Sequence, residues 1–248
     1  MKAVALIPAR LESSRFPEKM LADLAGKALI VRTHEAVAKS GLFSDVLVVT
    51  DHVRILELVE AHGGKAVMSA AHHQSGSDRI AEIAARLEAD FLVNIQGDEP
   101  FTSTQSLACL LEQLAQPGVE VASLMCPIYT WADFENPNVV KVVCNRAGDA
   151  LYFSRAPIPF PRDVQEPRPK NLPEDVPIYQ HIGIYGYKRE ALLRFTALPP
   201  APLEQLEKLE QLRLLYHGIP IRMGLVHEKS LGIDTEEDLA KARLRFMS

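Results

Sequence analysis

The chain has 248 residues, 47% of them hydrophobic and 24% charged, a balance found in soluble globular proteins that bury a substantial core. A net charge of −5 argues against non-specific nucleic-acid binding, and no stretch approaches the ~20 apolar residues of a membrane helix. Three cysteines, Cys109, Cys126 and Cys144, form no C-x-x-C pair and read as small core hydrophobes; their odd number suits a reducing compartment, so a cytoplasmic protein is expected.

Ala3-Val4-Ala5-Leu6-Ile7 reads as a strand, and the run stops at Pro8, too short for a signal peptide. It empties into Pro8-Ala9-Arg10-Leu11-Glu12-Ser13-Ser14-Arg15-Phe16-Pro17-Glu18-Lys19. Two arginines, two serines and a lysine in one loop suit a ligand with several negative charges, of which a nucleoside triphosphate is the commonest. The loop is neither a P-loop nor a dinucleotide fingerprint, so side-chain cations rather than a glycine cradle would hold the phosphates. An amphipathic helix over 28–40 then stops at Gly41, and Val46-Leu47-Val48-Val49-Thr50 is a strand covered on both faces. A helix over 52–62 closes on Gly63-Gly64, a strand follows over 65–68, and Ser77-Asp78-Arg79 opens a helix through 88. Phe91-Leu92-Val93-Asn94-Ile95 is a further buried strand. Alternation at this spacing predicts βαβ units and a mostly parallel sheet.

After about residue 120 the rhythm changes to strand-like runs over 121–126, 139–144 and 150–153. Seven prolines over 157–177 predict an excursion loop. A strand over 182–187, a helix over 202–217, a strand over 221–226 and a helix from Thr235 complete the pattern. Leu203, Leu206, Leu209, Leu212 and Leu215 form a core or dimer-facing stripe on the long helix, with two of the three glutamates Glu204, Glu207 and Glu210 expected on its wet face. The expected architecture is one α/β domain over 1–248 with an inserted β lobe at about 121–190.

Three segments could carry chemistry. Gln96-Gly97-Asp98-Glu99-Pro100 follows a strand at its carboxyl end, where Asp98 could hold Mg²⁺ against phosphate oxygens or simply belong to a turn. Asp234, before the last helix, reads as a cap, yet Thr235 can cap while Asp234 faces a cleft. His72-His73-Gln74-Ser75-Gly76-Ser77-Asp78-Arg79 could read a base edge or ribose, or cap a helix; zinc is not expected, since no Cys or third His stands at ligand spacing.

Taken together these segments resemble the sugar-activating cytidylyltransferases, on the branch of the CMP-Kdo synthetase family (3-deoxy-manno-octulosonate cytidylyltransferases). The resemblance rests on Ile7-Pro8-Ala9-Arg10 with Ser13-Ser14-Arg15-Phe16-Pro17 and Lys19, on His73-Gln74-Ser75-Gly76-Ser77-Asp78-Arg79, and on Asn94-Ile95-Gln96-Gly97-Asp98-Glu99-Pro100. It continues through Asn136-Pro137-Asn138-Val139-Val140-Lys141, Ala150-Leu151-Tyr152-Phe153-Ser154-Arg155-Ala156, His181-Ile182-Gly183-Ile184-Tyr185-Gly186-Tyr187, Glu210-Gln211-Leu212-Arg213 and Gly232-Ile233-Asp234-Thr235. It implies a nucleotide-diphosphosugar transferase fold, Rossmann-like and three-layered with a mixed central sheet, working as a homodimer whose β lobe serves sugar binding and dimerisation. The implied reaction is CTP + Kdo → CMP-Kdo + pyrophosphate, feeding lipopolysaccharide synthesis. By position, Arg10, Ser13 and Lys19 are expected to bind the triphosphate, and Ser75, Arg79 and Gln96 the cytidine side. Asp98 and Asp234 are expected to share Mg²⁺, and Arg155, His181, Tyr185, Glu210 and Gln211 to hold the sugar acid. By the same resemblance Lys19, Asp98 and Asp234 are the expected catalytic set.

The sequence departs from the family's habit at Glu18-Lys19-Met20, where Gly-Lys-Pro is usual, at Ser77, which replaces a threonine, and around Glu228-Lys229-Ser230. An anion at Glu18 is expected to point outward. Relatives acting on 8-amino-8-deoxy-Kdo are one alternative. Sialic acid is another, disfavoured because that branch usually has asparagine where Met20 stands.

Overall fold

Successive residues of the first strand serve two different cores. In the computed structural model, which describes residues 2–13, 16–70, 73, 75–162, 171–172, 178–228 and 232–247, strand β1 (Ala3–Ala9) is buried throughout. Side chains alternate across a strand, so Ala3, Ala5, Ile7 and Ala9 pack in one cluster while Val4 and Leu6 pack in another on the opposite face. The apolar run read in the sequence is thus the signature of a strand sandwiched between helical layers.

The elements follow in order: a hairpin of β2 (Asp23–Leu24) and β3 (Lys27–Ala28), α1 (Leu29–Lys39), β4 (Asp45–Thr50), α2 (Val53–Ala61), β5 (Lys65–Met68), α3 (Gly76–Ala84), β6 (Phe91–Asn94), α4 (Thr104–Leu114), β7 (Val121–Pro127) and α5 (Trp131–Glu135). The second half holds β8 (Lys141–Cys144), β9 (Ala150–Ser154), β10 (Tyr179–Lys188), α6 (Arg189–Ala197), α7 (Pro202–Glu207), α8 (Leu212–Tyr216), β11 (Arg222–Leu225) and α9 (Glu236–Met247). The main sheet runs β11-β7-β10-β6-β1-β4-β5. Its neighbours are parallel except at β10, which runs against both β6 and β7 and makes the sheet mixed. Strands β8 and β9 form a ladder attached to the start of β10. Ile30, Val37, Ile55, Val59, Leu107 and Leu110 of α1, α2 and α4 cover one face of the sheet; Ile80, Ile83, Leu192 and Phe195 of α3 and α6 cover the other.

The helix expected over 202–217 is two short helices. Lys208 adopts a left-handed backbone (φ 55°), which ends α7 and turns the chain before α8 begins. The leucine stripe is split accordingly: Leu209 and Leu212 are buried, whereas Leu206 is exposed. Helices α4, α5 and α6 and the β2–β3 hairpin have no counterpart in the elements read from the sequence. Ser14, Arg15, His72, Gln74, most of the proline-rich stretch and residues 229–231 lie outside the described residues.

Candidate active site

Strands β1, β4 and β6 are parallel, so their carboxyl ends share one edge and the loops leaving them meet there. Arg10, Ser13 and Lys19 from the first loop, Ser75 and Arg79 from the start of α3, Gln96 and Asp98 from the turn after β6, and Asp234 from before α9 line a single cleft.

Specific contacts bring Asp98 and Asp234 together although 135 residues lie between them in the chain. The backbone N–H of Ile233 donates to the carbonyl of Asp98 (3.0 Å), and Ile233 is fully buried among Phe16, Leu24, Leu29 and Leu239. Beneath the turn, Thr33 Oγ1 donates to the carbonyl of Gly97 (2.8 Å). A Cβ at Gly97 would stand 3.0 Å from Met20 Sδ and 3.2 Å from the carbonyl oxygen of Pro8, so the close approach of β1 and the first loop favours glycine there. Thr235 Oγ1 accepts from the N–H of Asp238 while Asp238 Oδ2 accepts from the N–H of Thr235, a reciprocal cap that occupies Thr235 at the head of α9. Asp234 is thereby left to face the cleft.

Lys19 Nζ lies 2.5 Å from Asp98 Oδ2 and 3.1 Å from Asp234 Oδ1, with the lysine side chain buried and Asp234 half-exposed. One ammonium between two carboxylates leaves the trio with a net negative charge. Among the described residues no group of three or more His, Cys, Asp or Glu side chains stands close enough to hold a metal by itself. A cation here would rest on the two aspartates, with its remaining positions open to water and substrate oxygens. That donor set suits Mg²⁺, which commonly takes one or two protein carboxylates.

The nucleotide-side candidates are held from behind. Ser75 caps α3 by accepting from the N–H of Asp78 (3.1 Å), a contact worth about 1 kcal/mol in helices generally. Arg79 is buried and donates to Asp51 Oδ2 and Ser69 Oγ, both at 2.7 Å. His73 Nε2 lies 2.7 Å from Glu82 Oε2, which also accepts from the N–H of Ala70. These bonds hold the Glu82 carboxyl below its ordinary pKa, the His73 contact first. Sequence reading passed over Asp51 and Glu82; nothing in their local pattern marks them, because their partners are remote in the chain.

Gln96 also lines a second cavity, with His181, Tyr185, Glu210 and Gln211. Strand β10 supplies His181 and Tyr185. Its pairing with β7 slips between Ile182 and Tyr185, so two extra residues are accommodated and the alternation of faces survives. Tyr187 and Phe195 complete the apolar wall; the period-two spacing after Tyr185 is the signal that could have found Tyr187. The left-handed Lys208 steers Glu210 and Gln211 into the chamber. Glu210 Oε2 accepts from Ser77 Oγ (2.7 Å), tying the chamber to α3. Burial pushes the Glu210 carboxyl above its ordinary pKa despite hydrogen bonds from Ser77 and Ser75, and burial pushes His181 down to about 3. Tyr185 Oη, Glu210 Oε1 and Gln211 Nε2 are buried without a hydrogen-bond partner. Arg155 stands apart from both cavities, its guanidinium bound to the carbonyls of Glu207 (2.8 Å) and Pro137 (3.0 Å).

A family model described as "Cytidylyltransferase" matches residues 4–229. The chain belongs to the cytidylyltransferase family. It is 47% identical over 246 residues to the 3-deoxy-manno-octulosonate cytidylyltransferase of Flavobacterium johnsoniae, covering 98% of each chain. It is 44% identical over 242 residues to the enzyme of the same name from Syntrophotalea carbinolica, covering 97% of each. A solved CMP:2-keto-3-deoxy-manno-octonic acid synthetase complexed with CTP superposes with a TM-score of 0.91 at 41% identity, covering 100% of this chain and 99% of that one. The α/β fold with a mixed sheet expected from the sequence is therefore that of a cytidylyltransferase.

Within this cytidylyltransferase the unusual Glu18 has a backbone explanation. Its φ of 52° lies in the left-handed region that glycine occupies at little cost, and its carboxylate turns outward to pair with Arg54. Both partners are about half exposed, so the pair contributes little. Glu18→Gly is expected to leave CTP turnover unchanged and the thermal midpoint equal or higher, read by scanning calorimetry and pyrophosphate release. A lower midpoint would show that the Arg54 contact outweighs the backbone cost.

No helix among the described residues is long and apolar enough to cross a membrane.

Proposed function

We propose that this protein transfers the cytidylyl group of CTP to the anomeric hydroxyl of 3-deoxy-manno-octulosonate, giving CMP-Kdo and pyrophosphate. The observation that carries the reading is that Gln96 lines two chambers, one holding Lys19 with two aspartates and the other three buried polar atoms that make no hydrogen bond. Unpaired buried polar groups are costly; a polyhydroxylated sugar acid would satisfy all three. The near-full-length likeness to cytidylyltransferases of that name supports the same substrate pair.

In this reading Arg10, Ser13 and Lys19 hold the triphosphate, while Ser75, Arg79 and Gln96 border the cytidine. Tyr185, Glu210, Gln211 and His181 orient the sugar so that its anomeric oxygen meets the α-phosphorus. The new P–O bond forms as the bond to the β-phosphate bridging oxygen breaks; the hydroxyl proton passes to water and pyrophosphate leaves. Positioning and charge neutralisation dominate such transfers. Lys19 and Arg10 offset the charge gathering on the leaving pyrophosphate. Mg²⁺ held by Asp98 and Asp234 would lower the pKa of the attacking hydroxyl and offset charge growing on the α-phosphate.

The test is pyrophosphate release from CTP with Kdo, 8-amino-8-deoxy-Kdo and N-acetylneuraminate, the product identified by mass spectrometry. CMP-Kdo is expected. Turnover with N-acetylneuraminate and none with Kdo would overturn the reading, and turnover confined to the 8-amino sugar would move the specificity to that substrate.

A further inference from the structure

We propose that Ser123 is a positioning residue that fixes His181 as the Nε2–H tautomer, leaving Nδ1 to accept a hydrogen bond from a sugar hydroxyl. The second half of this proposal rests on the sugar-chamber reading above.

Ser123 sits fully buried in β7, opposite the slip in β10. Its hydroxyl lies 2.9 Å from the carbonyl oxygen of Ile184, 3.2 Å from that of Ile182 and 3.1 Å from His181 Nε2. A serine hydroxyl has one proton to give and two lone pairs to receive. Both carbonyls can only accept, so the single proton goes to them, the nearer being Ile184. Toward His181 the hydroxyl oxygen therefore accepts, and Nε2 must carry the hydrogen. The opposite assignment would spend the proton on the imidazole and forfeit both carbonyl contacts, in a fully buried setting where an unmet polar group is costly.

The rest of the imidazole follows from this. Phe153 meets the ring edge-on at 4.9 Å and Tyr185 lies at 5.4 Å, so its orientation is set by packing as well. Such an apolar surround keeps the ring neutral, and a neutral ring with hydrogen on Nε2 has a lone pair on Nδ1. No hydrogen bond to Nδ1 is formed among the described residues, and Nδ1 is not among the buried atoms left without a hydrogen bond, so it keeps access to the chamber that His181 lines. His181 thus lines the chamber as a hydrogen-bond acceptor. An acceptor selects a hydroxyl and rejects a carboxylate or phosphate oxygen at that point, because two lone pairs repel.

Long-range ¹H–¹⁵N spectra of protein labelled at histidine test this, with His181 identified by its loss in His181→Gln. The parent is expected to show Nε2 protonated and Nδ1 bare. In Ser123→Ala the tautomer should become mixed, and the KM for the sugar acid should rise about tenfold, the scale of one hydrogen bond. An unchanged KM for CTP would confirm that the variant is folded, and Ser123→Thr should restore both readouts. An Nδ1–H tautomer in the parent, or an unchanged tautomer in Ser123→Ala, overturns the assignment. If the tautomer shifts while neither Ser123→Ala nor His181→Gln moves the sugar KM, Ser123 still sets the ring and the sugar contact is what fails.

Discussion

Asp98→Asn and Asp234→Asn are each expected to lower kcat/KM by about 10³-fold or more, while Mn²⁺, used as a paramagnetic stand-in for Mg²⁺, binds more weakly in both. Each change keeps the shape of the side chain and removes one negative charge from the trio that Lys19 joins. Metal stabilisation of a phosphoryl oxygen amounts to several kcal/mol, and each 1.36 kcal/mol is tenfold in rate. Thermal stability should move little. The Asp234 carboxylate is half-exposed, where ion pairs add little to stability, and the backbone bond from Ile233 to Asp98 that joins the two segments does not involve either carboxylate. Near-normal rates, or unchanged Mn²⁺ binding seen by electron paramagnetic resonance, would remove the two aspartates from the metal site.

Lys19→Met should raise the KM for CTP by about 10- to 100-fold and lower kcat, since one charge-assisted contact to phosphate is lost and pyrophosphate leaves with less neutralisation. The variant carries a second consequence that separates the two jobs of this lysine. In the parent its ammonium already bridges both aspartates, so an arriving cation must share or displace it. Without it the carboxylates face one another uncompensated, and Mg²⁺ alone should raise the thermal midpoint of Lys19→Met more than that of the parent. Equal shifts in the two proteins would mean that the cation does not meet Lys19. An unchanged KM for CTP would mean that the lysine does not meet phosphate.

Much of the architecture was legible in the residue order. Alternating apolar runs and helix signals placed β1, β4, β6, α1, α2 and the start of α3, because a strand buried on both faces and a capped amphipathic helix each leave a local pattern; the partly exposed edge strand β5 was marked by the Gly63-Gly64 stop before it. The motifs also marked the loops that meet in the cleft, and the outward turn expected of Glu18 is the one found, at a left-handed backbone angle. What the sequence could not contain were relations between distant residues. The break at Lys208 depends on a single backbone angle that an otherwise continuous leucine stripe conceals. The supports of Arg79 and His73, namely Asp51 and Glu82, carry no mark of their role until the sheet brings their loops together. Arg155 shows the converse: its motif is intact, yet in the folded chain its guanidinium is engaged by the carbonyls of Glu207 and Pro137. Local propensity acts over a few residues, whereas the hydrogen bonds that join Asp98 to Asp234 through Lys19, or Ser123 to His181, form only where packing places one strand edge or loop against another.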